Sequence, residues 1–112
     1  MNVKGGSTMS LKMNKVFQDM DQFWSVELIG DVDIQTSGRL KEELNQLLDQ
    51  KECDINIDCA NLSYIDSTGL GVLIGVLKRV KKSENNILIT NAQQNILKLL
   101  KITGLDKIFV MK

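Results

Sequence analysis

The segment Ser63-Tyr64-Ile65-Asp66-Ser67-Thr68-Gly69-Leu70-Gly71 concentrates the side chains of this chain that could do chemistry. Asp, Ser and Thr stand in a row just ahead of a helical apolar pattern. Such residues cap helices, because a side-chain oxygen accepts a hydrogen bond from an orphan backbone N–H. A hydroxyl at that position is also suited to carry phosphate, since free N–H groups and the helix dipole stabilise negative charge there. On pattern alone the segment is a cap followed by packing glycines; the chemical alternative is a phosphate acceptor at Ser67. Two more features exceed a plain cap. Gly69, Gly71 and Gly75 share one predicted helix, and each costs about 1 kcal/mol relative to alanine, which makes sense where something must approach the backbone. Val72 and Val76 add a second apolar stripe, so the outer face of the helix start can meet a partner. A second candidate is Gly30-Asp31-Val32-Asp33. Asp31 and Asp33 either form a turn or cap for a helix starting near Thr36, or supply acidic contacts beside Ser67.

What is missing narrows the chemistry. The chain has no histidine, so it supplies no Ser-His-Asp, Cys-His or His-metal arrangement of its own. Asp66-Ser67-Thr68-Gly69 falls short of a nucleophile elbow, because Ile65 replaces the first glycine and no base activates the serine. Gly69, Gly71 and Gly75 miss the dinucleotide fingerprint by one residue, and the stretch about 20 residues on is neutral. No Gly-Lys-Ser/Thr forms a phosphate loop. No His, Lys or metal-ligand constellation is seen converging on the Ser67 rim. Cys53 and Cys59 fall six apart on one predicted strand, roughly 20 Å in extended geometry, whereas a disulfide needs Cα atoms within about 7 Å. Both are expected to be reduced core residues, with no metal and no cofactor.

The elements that position these residues follow from composition and periodicity. The chain has 112 residues, 43% hydrophobic and 25% charged, the balance of one ordinary globular domain. Fourteen basic residues match fourteen acidic ones, which argues against direct nucleic-acid binding. No apolar run approaches the ~20 residues of a membrane span and no signal-peptide pattern opens the chain. A cytoplasmic protein without membrane contact, monomeric when alone, is expected. Residues 1–9 carry Gly5-Gly6-Ser7-Thr8 and no periodicity. They are expected to be a flexible extension or a cloning remnant, with a single domain over 10–112.

Residues 11–18 are a weak strand candidate. Trp24, Val26 and Leu28 alternate onto one face up to Gly30, and the short connection predicts a hairpin between these strands. Leu40, Leu44, Leu47 and Leu48 mark an amphipathic helix over 36–50. Residues 53–59 alternate strictly, as a half-buried strand does. Leu70, Leu73, Ile74, Leu77 and Val80 place a second helix over 67–82, its Lys78, Arg79, Lys81 and Lys82 complementing the dipole. Residues 87–89 form a short buried strand, 92–100 a third helix ended by Gly104, and 108–110 a last strand. The order is β-β-α-β-α-β-α-β, an α/β fold with a mixed sheet of four to five strands and helices packed against it. Both candidate segments then fall in loops at the carboxyl ends of strands, where ligands and partners gather; if those strands are neighbours, Asp33 and Ser67 share one rim.

With these elements in this order, the chain resembles the STAS domain, and within it the bacterial anti-sigma factor antagonists. Gly30-Asp31-Val32-Asp33 matches the family's G-[ED]-[hydrophobic]-D loop, Asp66-Ser67-Thr68-Gly69-Leu70-Gly71 is similar to its phosphorylation segment, and Ile102-Thr103-Gly104-Leu105 resembles its turn before the last strand. The resemblance implies a protein that is not an enzyme. Unphosphorylated, it would bind an anti-sigma factor that is also a serine kinase with an ATP-binding fold of the histidine-kinase type, releasing a sigma factor. Phosphorylation of Ser67 would switch this off and a PP2C-type phosphatase would restore it. It also implies a partner surface of Asp31, Asp33, Asp66, Ser67, Thr68, Gly69, Gly71 and Val72. Alternatives are a STAS interaction module of a stress-signalling scaffold, a lipid-transport complex or a transporter tail; a small nucleotide-binding domain or enzyme ranks well below.

Overall fold

A computed structural model describes residues 10–112; the extension expected over 1–9 lies outside the described residues. The strands are β1 (Leu11–Gln18), β2 (Phe23–Val32), β3 (Asp54–Ile65), β4 (Ile87–Thr90) and β5 (Val110–Met111). The helices are α1 (Ser37–Gln50), α2 (Ser67–Lys81) and α3 (Gln94–Thr103), followed by a 3-10 turn at Leu105–Lys107. The strands form one mixed sheet in the spatial order β1-β2-β3-β4-β5. β1 and β2 are the expected antiparallel hairpin, and every later pair is parallel. Parallel neighbours need crossovers, and crossovers are right-handed. Three successive crossovers step the same way along this sheet, so all three helices lie on one face. The other face is half-solvated, with Ser25, Glu27, Asn56 and Asp58 alternating against the core residues.

The core sits between sheet and helices. Val26, Leu28, Ile55, Ile57 and Ile87 meet Leu40, Leu44, Leu48, Leu70, Leu77, Val80 and Leu100, all of them buried. Val76, read from the sequence as part of an outer stripe, is buried with them. Arg79 latches α2 to the end of α1, donating to Asn45 Oδ1 at 2.9 Å and to Asp49 at 2.8 Å.

Several boundaries differ from the pattern reading. β2 runs on to Val32 and β3 to Ile65, so Gly30–Val32 and Ser63–Ile65 are strand rather than loop. The β2–β3 register slips between Glu27 and Ile29 and again between Gly30 and Asp31, which breaks the alternation that marks a strand. Gly30 has a φ of +106°, and a Cβ there would lie 2.3 Å from the Ser10 carbonyl oxygen, so glycine is required. α3 is shifted to 94–103 and ends, as expected, on the left-handed Gly104. Ile108 and Phe109 belong to the turn before β5, where the Phe109 N–H donates to the Leu105 carbonyl at 3.1 Å.

Both cysteines are free and buried. Burial pushes the Cys59 thiol up to about 12 and raises that of Cys53 as well. Only the thiolate reacts, so at pH 8 Cys59 holds its proton. An alkylating reagent should therefore leave Cys59 unlabelled in the native protein and modify it along the denaturant unfolding curve. Fast labelling without denaturant, read by intact mass, would show that the centre of β3 opens.

Candidate functional site

The rim is built by the carboxyl ends of β2 and β3. Their pairing continues to Asp31 opposite Tyr64 and Val32 opposite Ile65. It closes with the Asp66 N–H donating to the Val32 carbonyl at 3.1 Å. The two segments singled out from the sequence are thus held edge to edge.

Asp66 is the N-cap of α2. Its Oδ1 accepts from the Thr68 N–H at 3.0 Å, the Gly69 N–H at 3.1 Å and the Thr68 hydroxyl at 2.5 Å. The Thr68 hydroxyl, the Gly69 amide and, more weakly, the Ile34 amide hold the Asp66 carboxyl below the usual carboxylate range. A carboxyl lowered in this way stabilises the fold at neutral pH, and that contribution is lost as the pH falls through its folded value. Ser67, the first residue of α2, is exposed, and among the described residues nothing holds its hydroxyl. Two adjacent hydroxyls therefore differ: that of Thr68 is spent on the cap and that of Ser67 is free.

Asp33 is placed on the same rim, but its carboxylate faces its own turn. Asp33 Oδ1 accepts from the Gln35 N–H at 2.9 Å and the Thr36 N–H at 3.1 Å. Thr36 Oγ1 lies 3.2 Å from the same oxygen and accepts from the Asp33 N–H at 2.9 Å. α1 then begins at Ser37 with Thr36 as its N-cap. Asp31, expected as an acidic surface contact, is instead 7% exposed, and its Oδ1 is buried with no hydrogen-bond partner among the described residues.

The glycines divide. Gly69 is buried, and a Cβ there would meet Val32 Cγ1 at 2.5 Å and Ile65 Cγ1 at 2.7 Å, so the close approach it permits is internal, of α2 onto the ends of β2 and β3. At Gly71 and Gly75 a Cβ would meet nothing within 4 Å. Both line a groove of about 620 Å³ between α1 and α2, with Thr68, Val72, Val76, Lys41 and Asn45. Lys41 lines this groove from the facing turn of α1, a placement that left no mark in the local pattern. Sequence reasoning also passed over Ile34 and Tyr64, 75% and 50% exposed on the rim. An isoleucine inside a polar turn was the available signal.

The STAS domain family model matches residues 14–112. An anti-sigma-B factor antagonist of Staphylococcus epidermidis is 36% identical over 85 residues, 76% of this chain and 79% of that protein. Among solved structures, an anti-sigma factor antagonist from Mycobacterium paratuberculosis superimposes with a TM-score of 0.74 at 21% identity, covering 89% of this chain and 85% of that one. The anti-sigma factor antagonist SpoIIAA matches in its unphosphorylated form with a TM-score of 0.69 and 16% identity, over 91% of this chain and 86% of its own. The phosphorylated form of SpoIIAA, a Bacillus cell fate determinant, matches with a TM-score of 0.68 and 16% identity, over 91% and 90%. These structural likenesses bear on the fold.

Opposite responses are expected from two glycines only two residues apart. Gly69→Ala forces Val32 and Ile65 aside and should destabilise by about 1–3 kcal/mol, the usual cost of overpacking. Gly71→Ala meets no neighbour and should stabilise by up to about 1 kcal/mol through helix propensity. Denaturant midpoints of the two variants check this; equal losses would show that space is not what separates them.

Proposed function

Since this chain belongs to the STAS domain family and to its anti-sigma factor antagonists, we propose that it works as a phosphorylation-gated binding partner, a kinase substrate and not an enzyme. Unphosphorylated, it binds an anti-sigma factor serine kinase and frees the sigma factor that the kinase held. Phosphorylation of Ser67 ends this binding, and a PP2C-type phosphatase restores it. The supporting observation is the inequality of the two hydroxyls at the start of α2, with Ser67 exposed and free while Thr68 donates to Asp66. Among the described residues no helix is long and apolar enough to cross a membrane, and the proposed partners place the reaction in the cytoplasm.

The switch proposed is local. Phosphorylation adds about −1.5 to −2 charge at neutral pH. Helix-terminal N–H groups favour that charge by about 0.3–2 kcal/mol, while the Asp66 and Asp33 carboxylates oppose it through a field that salt screens. The fold absorbs this near-balance. An interface shaped for a hydroxyl cannot, because a buried charge without a partner costs several kcal/mol.

The chain should be incubated with ATP and each serine kinase of this type from the same genome. Intact mass should show one added phosphate, mapped to Ser67 and not to Ser63 or Thr68. Ser67→Ala should still bind the kinase and escape inactivation. Phosphorylation should weaken kinase binding at least tenfold, equivalent to about 1.4 kcal/mol, with amide shifts confined to 30–36 and 63–76. Label elsewhere, or shifts throughout α3 and β5, would reject the assignment or the local switch.

A further inference from the structure

The turn between β2 and α1 spends its polar groups on itself. The Asp33 carboxylate accepts two backbone N–H groups, and Thr36 Oγ1 lies within hydrogen-bonding distance of the Asp31 carbonyl, the Asp33 N–H and the Asp33 carboxylate. The Asp33 carbonyl accepts from the Ser37 N–H at 2.8 Å, joining the turn to α1. What this framework presents outward is not a charge but Ile34, an aliphatic side chain 75% exposed. Isolated exposed apolar residues are ordinary. Ile34 differs in three ways. Its backbone is held in a turn braced at both ends, so little conformational entropy remains to be lost on docking. Ile34 stands two residues past Val32, whose carbonyl accepts the Asp66 N–H at 3.1 Å, which brings this turn beside the segment that carries Ser67. Tyr64, 50% exposed, stands at the end of the neighbouring strand, opposite Asp31 in the register. A rigid aliphatic group and an aromatic group beside one free hydroxyl have the composition of an interface centre, where apolar anchors enter pockets and the polar contacts lie around them.

We infer that Ile34 is the apolar anchor of this rim, received by an apolar pocket on the kinase that phosphorylates Ser67, and that Asp33 acts through it as a positioning residue. This rests on the kinase-partner reading and adds where partner choice resides. A kinase whose facing surface is polar, or whose pocket is filled, would pair poorly with this chain even with the acceptor segment intact. The Asp33 Oδ1 is occupied by its own turn and leaves Oδ2 as its acceptor for a partner, whereas an exposed isoleucine gains only when something covers it.

The test uses the full chain and the kinase that adds phosphate to Ser67, with affinity measured by calorimetry and phosphorylation by initial rate. Ile34→Ala should weaken binding at least tenfold and raise the KM for the chain as substrate, with kcat and thermal midpoint unchanged. Ile34→Leu, which keeps the apolar volume, should restore affinity to within threefold. Ile102→Ala removes a comparably exposed isoleucine on α3, 72% exposed, and should leave affinity as it was. Full affinity in Ile34→Ala, beside a wild type that binds and is phosphorylated at Ser67, would overturn the anchor and leave the kinase reading standing. A loss equal to that of Ile102→Ala would overturn it too. If no kinase binds or modifies the wild type, both fail together.

Discussion

The parallel pairing of β2 with β3, closed at its carboxyl end by the Asp66 N–H on the Val32 carbonyl at 3.1 Å, is the constraint on which the rest of the rim depends. Parallel neighbours finish on the same edge of a sheet, so the turn into α1 and the turn into α2 leave side by side. A slip of one residue would send every side chain of a strand to the opposite face. The two irregularities between Glu27 and Asp31 take up the mismatch without that slip: Val26 and Leu28 remain core residues upstream, and Val32 and Ile65 are core residues again beyond it. Gly69 is the third partner in this closure, since only without a Cβ can α2 settle onto Val32 and Ile65.

The same closure sorts polar groups into those consumed by the fold and those left outward. Asp66, Thr68, Asp33 and Thr36 are joined to neighbouring N–H groups or to one another. Asp66, Asp33 and Thr36 satisfy donors that a helix start or a tight turn would otherwise leave orphaned, and the Thr68 hydroxyl is itself a donor to Asp66. Ser67, Ile34 and Tyr64 remain exposed, a hydroxyl and two largely apolar side chains on segments that leave the same edge of the sheet. Asp33, which reads as a contact group in a motif, is also a construction element of its turn, and in the docking proposed above the contact passes to Ile34, which no motif marks.

Legibility in the sequence followed how local each physical cause was. The amphipathic stripes of α1 and α2, the alternation of 24–28 and 53–59, the Asp66 cap and the left-handed Gly104 are all local, and all stand in the structure. Crossovers predicted parallel later strands but left their order open, so the adjacency of β2 and β3 stood only as a condition until the structure gave it. Positions decided by long-range contact were hidden. Asp31 reads as a surface acid, yet it is buried where the end of β2 pairs with β3. Val76 reads as an outer valine because helical spacing does not reveal that α1 packs beside α2. Gly69 and Gly71 look alike as letters, but the ends of β2 and β3 lie against one and open space against the other. Lys41 enters the groove from a helix 27 residues before Thr68, beyond any window in which periodicity is read.

In the proposed switch, the occupied cap also decides where the cost of phosphate falls. A bare helix start offers four free N–H groups to an anion, but the Asp66 carboxylate already holds those of Thr68 and Gly69. A phosphate on Ser67 would have to compete with a carboxylate seated there, and its own charge repels that carboxylate. Lys41 lines the groove on the Thr68 side and is itself exposed, so it can soften the field without enclosing the anion. The phosphate therefore keeps its water and the helix keeps its cap, which leaves the core beneath undisturbed. A partner surface that must remove that water, with Ile34 fixing how closely it approaches, meets the charge at full strength. Rigidity at the rim thus makes the modification a local veto on docking, and nothing in the sheet has to move to transmit it.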